Sequence, residues 1–184
     1  MTHPGTAACI EALKGFAPAT EQQRSLRAQW LTLLATTPGV TDRHGPTAHV
    51  TVSALPITTD GRQVLLCRHP RYRRWGPWGG HMDAEDADVT GALHRELTEE
   101  AGPLPWRVVA LVDLAEHEAT CLPGTTVRHL DLLFRVEVPA ALPPRLLAEV
   151  ALGGWFPVDR LPEPGVPALR SLVERSLHGP VVAD

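Results

Sequence analysis

One stretch limits what this chain can fold into: Gly79 to Gly102, GGHMDAEDADVTGALHRELTEEAG. It opens with a glycine pair and a histidine and continues through an acidic loop (Asp83, Glu85, Asp86, Asp88). Its second half predicts a helix. A carboxylate at Asp86 or Asp88 caps the first turn by accepting free backbone N–H groups. Gly102 closes the last turn, and Pro103 and Pro105 prevent continuation. Val89, Leu93 and Leu97 recur every fourth residue and form one apolar stripe. With Leu93 set to zero, Glu100 falls at about −20°, Glu96 at about −60° and Glu99 at about −120°. A helix that only packed on a sheet would keep carboxylates off that face, because burying an unpaired charge is costly. Carboxylates crowded on one side repel unless cations sit among them. Mg²⁺ or Mn²⁺ suits such a set, since Mg²⁺ takes few protein carboxylates and completes its shell with waters and phosphate oxygens. A solvated acidic helix end is the plainer alternative. Against it, Arg-Glu-aliphatic-x-Glu-Glu-x-Gly arises by chance in roughly one in ten thousand chains of this length.

The stretch resembles the Nudix box, G-x5-E-x7-R-E-U-x-E-E-x-G-U with U an aliphatic residue. Arg95, Glu96, Leu97, Glu99, Glu100 and Gly102 match its second half residue by residue. Gly80 matches the opening glycine once the loop is allowed an extra residue. The first acid then falls on Asp86, with Glu85 as a rival, and Pro103 replaces the final aliphatic, with Leu104 next to it. The resemblance implies an α/β fold, a mixed sheet between helices forming an α/β/α sandwich. It implies hydrolysis of a nucleoside diphosphate linked to another moiety. It places metal ligation on Glu96, Glu99, Glu100 and the Gly80 carbonyl. Arg95, four residues before Glu99, is expected to orient the carboxylates. The general base varies within the family. Glu99 is the candidate within the box, and Glu118 and Glu116 are remote candidates on a loop that overhangs the site.

The chain's 184 residues suit one domain with an appendage. We divide it into a helical extension and linker, 1–46, and a Nudix-type domain, 47–184. In the extension, Ala7 to Phe16 predicts a short helix. A second starts at a capping box, Thr20-Glu21-Gln22-Gln23, and runs through Leu26, Trp30, Leu33 and Leu34. His49 to Leu55 reads as an alternating strand, and Asp60-Gly61 as a hairpin turn into the run Gln63 to Cys67. A basic loop, Arg68-His69-Pro70-Arg71-Tyr72-Arg73-Arg74-Trp75, then leads into the glycines. Arg68, Arg73 and Arg74 are candidates to neutralise substrate phosphate. Trp75 is a candidate to stack on a base, and His81 to touch phosphate. Strands are expected over Trp106 to Leu114, Val127 to Val138 and Trp155 to Val158. Helices are expected over Arg145 to Val150 and Val166 to Leu177.

A formal net charge of −4 gives no reason to expect bulk nucleic-acid binding. Cys9, Cys67 and Cys121 are far apart with no C-x-x-C pair, and are expected to be reduced thiols outside any disulfide frame or zinc site. The N-terminus has no signal-peptide pattern and no apolar run approaches membrane-spanning length. The expected setting is cytoplasmic, and the expected partner a small nucleotide diphosphate; a homodimer is compatible with the sequence. Two other readings remain open. One is a catalytically silent, nucleotide-sensing module on the same fold. The other is an isopentenyl-diphosphate-type isomerase, which would need a cysteine such as Cys67 in its pocket.

Overall fold

The computed structural model describes residues 4–44, 48–70, 72–83, 85–122, 125–146 and 152–178. Helices α1 (Pro4–Gly15) and α2 (Glu21–Thr36) precede strands β1 (Ala48–Thr58), β2 (Gln63–Arg68), β3 (Trp75–Gly76) and β4 (Trp78–His81). Helix α3 (Val89–Ala101), strands β5 (Arg107–Leu122), β6 (Thr125–Val138) and β7 (Leu152–Pro157), and helix α4 (Leu169–His178) complete the chain. All seven strands join one mixed sheet in the order β3-β2-β1-β6-β5, with β4 paired to β1 and β7 to β2.

Strand β1 is the centre of the fold. It pairs in parallel with β6 along its whole length, from Ala48 opposite Arg128 to Thr58 opposite Val138. Its other edge changes partner: Thr51–Ala54 pairs with β4, and Ile57 with β2. Pro56, which has no N–H to give to a ladder, lies between these two stretches. Nearly every residue of β1 is buried, so the strand is covered on both faces rather than half-buried as its alternation suggested. Val50, Val52 and Ala54 pack with Leu93 and Leu97 of α3 and with Trp30 and Leu34 of α2. Leu55 and Ile57 pack with Leu169, Leu172 and Val173 of α4. The sheet therefore lies between two helical layers, as the α/β/α expectation required.

Local chemistry accounts for the element ends. Thr20 and Gln23 form the reciprocal capping box of α2. Asp88, not Asp86, caps α3, accepting from Gly91 N at 2.8 Å. Gly102 ends that helix at φ 78°, a conformation L side chains resist.

The structure corrects several boundaries. Trp75, read as the end of the basic loop, begins β3, and the glycine pair lies in β4. Glu116, His117 and Glu118 are not on a loop: they lie inside β5, which pairs on to Leu122. The expected helix over Arg145 to Val150 is irregular at Arg145 and Leu146, and 147–150 fall outside the described residues, as does the Pro123-Gly124 turn.

Candidate active site

The box carboxylates meet where α3 packs on β4. Gly79 adopts φ 139°, and a Cβ there would lie 2.1 Å from the Val52 carbonyl oxygen, so β4 can sit this close to β1 only with glycine. Gly80 pairs with Val52 and faces α3: a Cβ on it would come within 2.6 Å of Glu96 Oε2. Gly79 N–H donates to Glu100 Oε2 at 3.0 Å. The glycine pair thus brings backbone directly against two box glutamates.

Arg95 holds the rest together. Its Nε and Nη2 donate to the two oxygens of Asp86 at 3.1 and 2.9 Å. Nη2 also donates to the His81 carbonyl at 2.8 Å, and Nη1 to Glu96 at 2.9 Å and Glu99 at 3.4 Å. Asp86, not Glu85, is therefore the loop acid that the arginine fork grips. Burial works to raise the Asp86 pKa, but its bonds from Arg95 and from Asp83 N–H bring it below the usual carboxylate range. Glu96 goes the other way: burial raises it, Arg95 lowers it, and the nearby charges of Glu99 and Asp83 raise it further. Glu99 is 61% exposed and faces solvent, as its angle off the apolar stripe implied.

Among the described residues, Arg95 pairs with Asp83, Asp86, Glu96 and Glu99, and Arg43 lies 3.7 Å from Asp83, so acids outnumber bases here. The donors that remain are carboxylate oxygens beside a glycine backbone, a hard oxygen set suited to Mg²⁺ or Mn²⁺. The absence of a side chain at Gly80 leaves the Glu96 carboxyl room to take part.

The other sequence candidates lie elsewhere. Arg68 Nε donates to Arg73 O at 3.2 Å and Arg74 Nη1 to Gly165 O at 3.0 Å, so both are held at the β2–β3 edge. Trp75 packs edge-on against Phe156 in the α4 layer, and Trp78 is fully buried with Nε1 on Leu65 O. Glu116 pairs with Arg128 and accepts from Trp30 Nε1, and Glu118 is an exposed residue opposite Arg128 in the β5–β6 register. His81 points away from Gly80's side of β4 and sits 3.0 Å from His49 Nε2 and 3.3 Å from His129 Nε2. Burial, then the nearby His49 and Arg43, push its pKa down to about 4. Cys121 is a reduced thiol, and its Sγ lies among these three imidazoles. Cys67 is buried, its thiol donating to Pro77 O and its pKa pushed up to about 12 by burial and then by Glu100.

The sequence profile of the NUDIX domain matches residues 47–176. The chain belongs to the Nudix family. Among solved structures, a MutT Nudix hydrolase from Burkholderia pseudomallei is 30% identical, with 68% of this chain and 95% of that one covered at a TM-score of 0.51. The dihydroneopterin triphosphate pyrophosphohydrolase of E. coli is 15% identical, with 71% and 96% covered and a TM-score of 0.58. The NUDIX domain of Shewanella oneidensis NrtR, complexed with ADP ribose, is 20% identical, with 80% and 96% covered and a TM-score of 0.56. No protein of curated function matches the chain. Family membership and the intact Arg95-Glu96-x-x-Glu99-Glu100 set identify a Nudix-type pyrophosphohydrolase, in a family that generally depends on a divalent metal. No described helix of this Nudix enzyme is long and apolar enough to cross a membrane.

Proposed function

We propose that this Nudix enzyme uses Mg²⁺ or Mn²⁺ to hydrolyse the diphosphate linkage of a nucleoside diphosphate derivative. The observation that carries the reading is the approach of Glu96 and Glu100 to the Gly79–Gly80 backbone, with one arginine bonding Asp86, Glu96 and Glu99. Glu96, Glu99, Glu100 and the Gly80 carbonyl would hold the cation. When bound there, it supplies neutralisation of phosphoryl oxygens and activation of a water. Arg95 fixes the carboxylate geometry and takes no proton. Glu99, exposed at the mouth of the set, is the base that accepts the proton from the attacking water. Glu118 is the remote alternative. The basic-loop residues Arg68, Arg73 and Arg74 take no part in this reading, since Arg68 and Arg74 are tied to the backbone of Arg73 and Gly165 at the β2–β3 edge. Residues 1–46 serve as an extension that completes the core of the domain 47–184.

Two observations favour hydrolysis over the other readings. All three box carboxylates, Glu96, Glu99 and Glu100, are present, whereas a module that only senses nucleotide has often lost one. Cys67 keeps its proton under a backbone carbonyl and so lacks the acid–base character an isomerase needs.

The test is product analysis on nucleoside triphosphates, ADP-ribose, nucleotide sugars, dinucleoside polyphosphates and coenzyme A, with Mg²⁺, with Mn²⁺ and with chelator. Cleavage that requires metal supports the assignment, and the product pair shows which phosphorus is attacked. Tight nucleotide binding with no cleavage would overturn it in favour of a sensing module.

A further inference from the structure

Four side chains outside the box converge on one point. His49 lies on β1, and His81 on β4 along one edge of β1. His129 lies directly opposite His49 on β6 along the other edge. Cys121 lies on β5, the next strand out. Four neighbouring strands, β4-β1-β6-β5, each supply one residue. Strand alternation separates this cluster from the box. His49 and Thr51 face away from Val50 and Val52, which pack under α3, and His81 faces away from Gly80, which abuts Glu96. The two groups lie back to back across β4.

All four candidate ligand atoms fall within 4.8 Å of one another. Nε2 of His81 is 3.0 Å from Nε2 of His49 and 3.3 Å from Nε2 of His129. Sγ of Cys121 is 3.5, 3.6 and 3.0 Å from Nε2 of His49, His81 and His129. Tetrahedral zinc, with its usual bond lengths to nitrogen and sulfur, has nitrogen–nitrogen edges of about 3.3 Å and nitrogen–sulfur edges of about 3.5 Å. Hydrogen bonds alone do not account for the arrangement. Five of the six atom pairs lie 3.0–3.6 Å apart, and three ring nitrogens and one thiol carry too few protons to bridge them all. One central cation satisfies all four lone pairs.

We propose that His49, His81, Cys121 and His129 form a closed tetrahedral site for a transition-metal cation of the Zn²⁺ class, a structural clasp across four strands. The nitrogen and sulfur donors select against Mg²⁺, which the oxygen donors of the box favour. Four protein ligands leave no open position, the pattern of structural and not catalytic zinc. His81 and Cys121 also line a cavity of about 200 Å³ with Arg43 and His44, which gives the ion a way in.

The test uses full-length protein stripped with chelator and then held in Mg²⁺. Co²⁺ is titrated in and displaced by Zn²⁺, while thermal unfolding is followed in parallel. The proposal expects one equivalent per chain, the intense visible bands of tetrahedral cobalt, a thiolate-to-cobalt charge-transfer band, and a higher Tm with Zn²⁺ but not with added Mg²⁺. Cys121→Ser should abolish the charge-transfer band and weaken zinc by more than the roughly 10–100-fold that loss of an outer hydrogen-bond partner costs. The double variant Glu99→Gln/Glu100→Gln should leave the cobalt spectrum intact, which separates this site from the box. A weak octahedral spectrum, less than one equivalent, an unchanged charge-transfer band in Cys121→Ser, or loss of the spectrum in the double variant would overturn the proposal. If Cys121→Ser does not fold, the wild-type stoichiometry, spectrum and Tm shift decide it.

Discussion

Glu96 and Gly80 occupy the same space: the carboxyl of one fills the volume where the other would carry a Cβ, 2.6 Å from Oε2. Gly80→Ala must therefore displace the far end of a flexible side chain, not backbone. The expected result is a small loss of stability, about 1–3 kcal/mol for overpacking. It comes with a fall in kcat/KM of about a hundredfold, because misplacement by an ångström is enough to cost that much. Urea unfolding and steady-state kinetics on the same preparation check both halves.

Glu99 is 61% exposed, and Glu100 meets Gly79 N–H through an oxygen that glutamine also has. The double variant Glu99→Gln/Glu100→Gln should keep the wild-type circular dichroism and unfold within a few degrees of it. Turnover should fall by about 10²–10⁴-fold, the range for removing a positioned base. Glu118→Gln should stay within a few-fold of wild type; if it falls as far as Glu99→Gln, the base lies on β5 instead.

Arg95→Lys keeps the charge and loses the fork. Lysine cannot donate to both Asp86 oxygens while also reaching the His81 carbonyl and Glu96. Each hydrogen bond to a charged group contributes about 1.5–3 kcal/mol. Loss of one or two should therefore shift the urea midpoint visibly and lower kcat together with metal affinity. A wild-type metal affinity in Arg95→Lys would mean that the fork does not position the glutamates.

The thiols differ enough to be counted. Burial pushes Cys9 and Cys67 up to about 12 from an ordinary 9.0, whereas Cys121 is half-buried beside a cavity. In chelator-treated protein at pH 8, a thiol reagent should titrate one fast group, and all three after denaturation. The pH dependence follows in sign. As pH rises the unfolded chain gives up these two protons first, so their contribution to stability is intact below about pH 9 and declines between pH 9 and 12. Denaturation midpoints measured across that window should fall.

The box helix was legible because one helix carries both packing and chemistry: Val89, Leu93 and Leu97 mark its buried side, and Glu99 lies off it. The glycine pair was legible as a close approach but not as a strand, since nothing local says that β1 offers it an edge. Glu116 to Glu118 looked like a loop because it is polar, yet the ladder to β6 keeps it extended. The histidine–cysteine cluster left no local pattern. Its members lie 32, 40 and 8 residues apart along the chain, and only the order of the strands assembles them.

The parallel pairing of β1 with β6 also has a consequence during synthesis. Residue 48 finds its partner at 128 and residue 58 at 138. At ribosomal speeds of about 5–20 residues per second, the central strand waits roughly 4–16 s for its longest ladder to exist. Through that interval the nascent chain displays an apolar segment with the edge that β6 will cover still open, although α1, α2, β2 to β4 and then α3 are already made. That makes β1 the segment a chaperone would be expected to hold, and newly made chain, not folded protein, the form most at risk of aggregation.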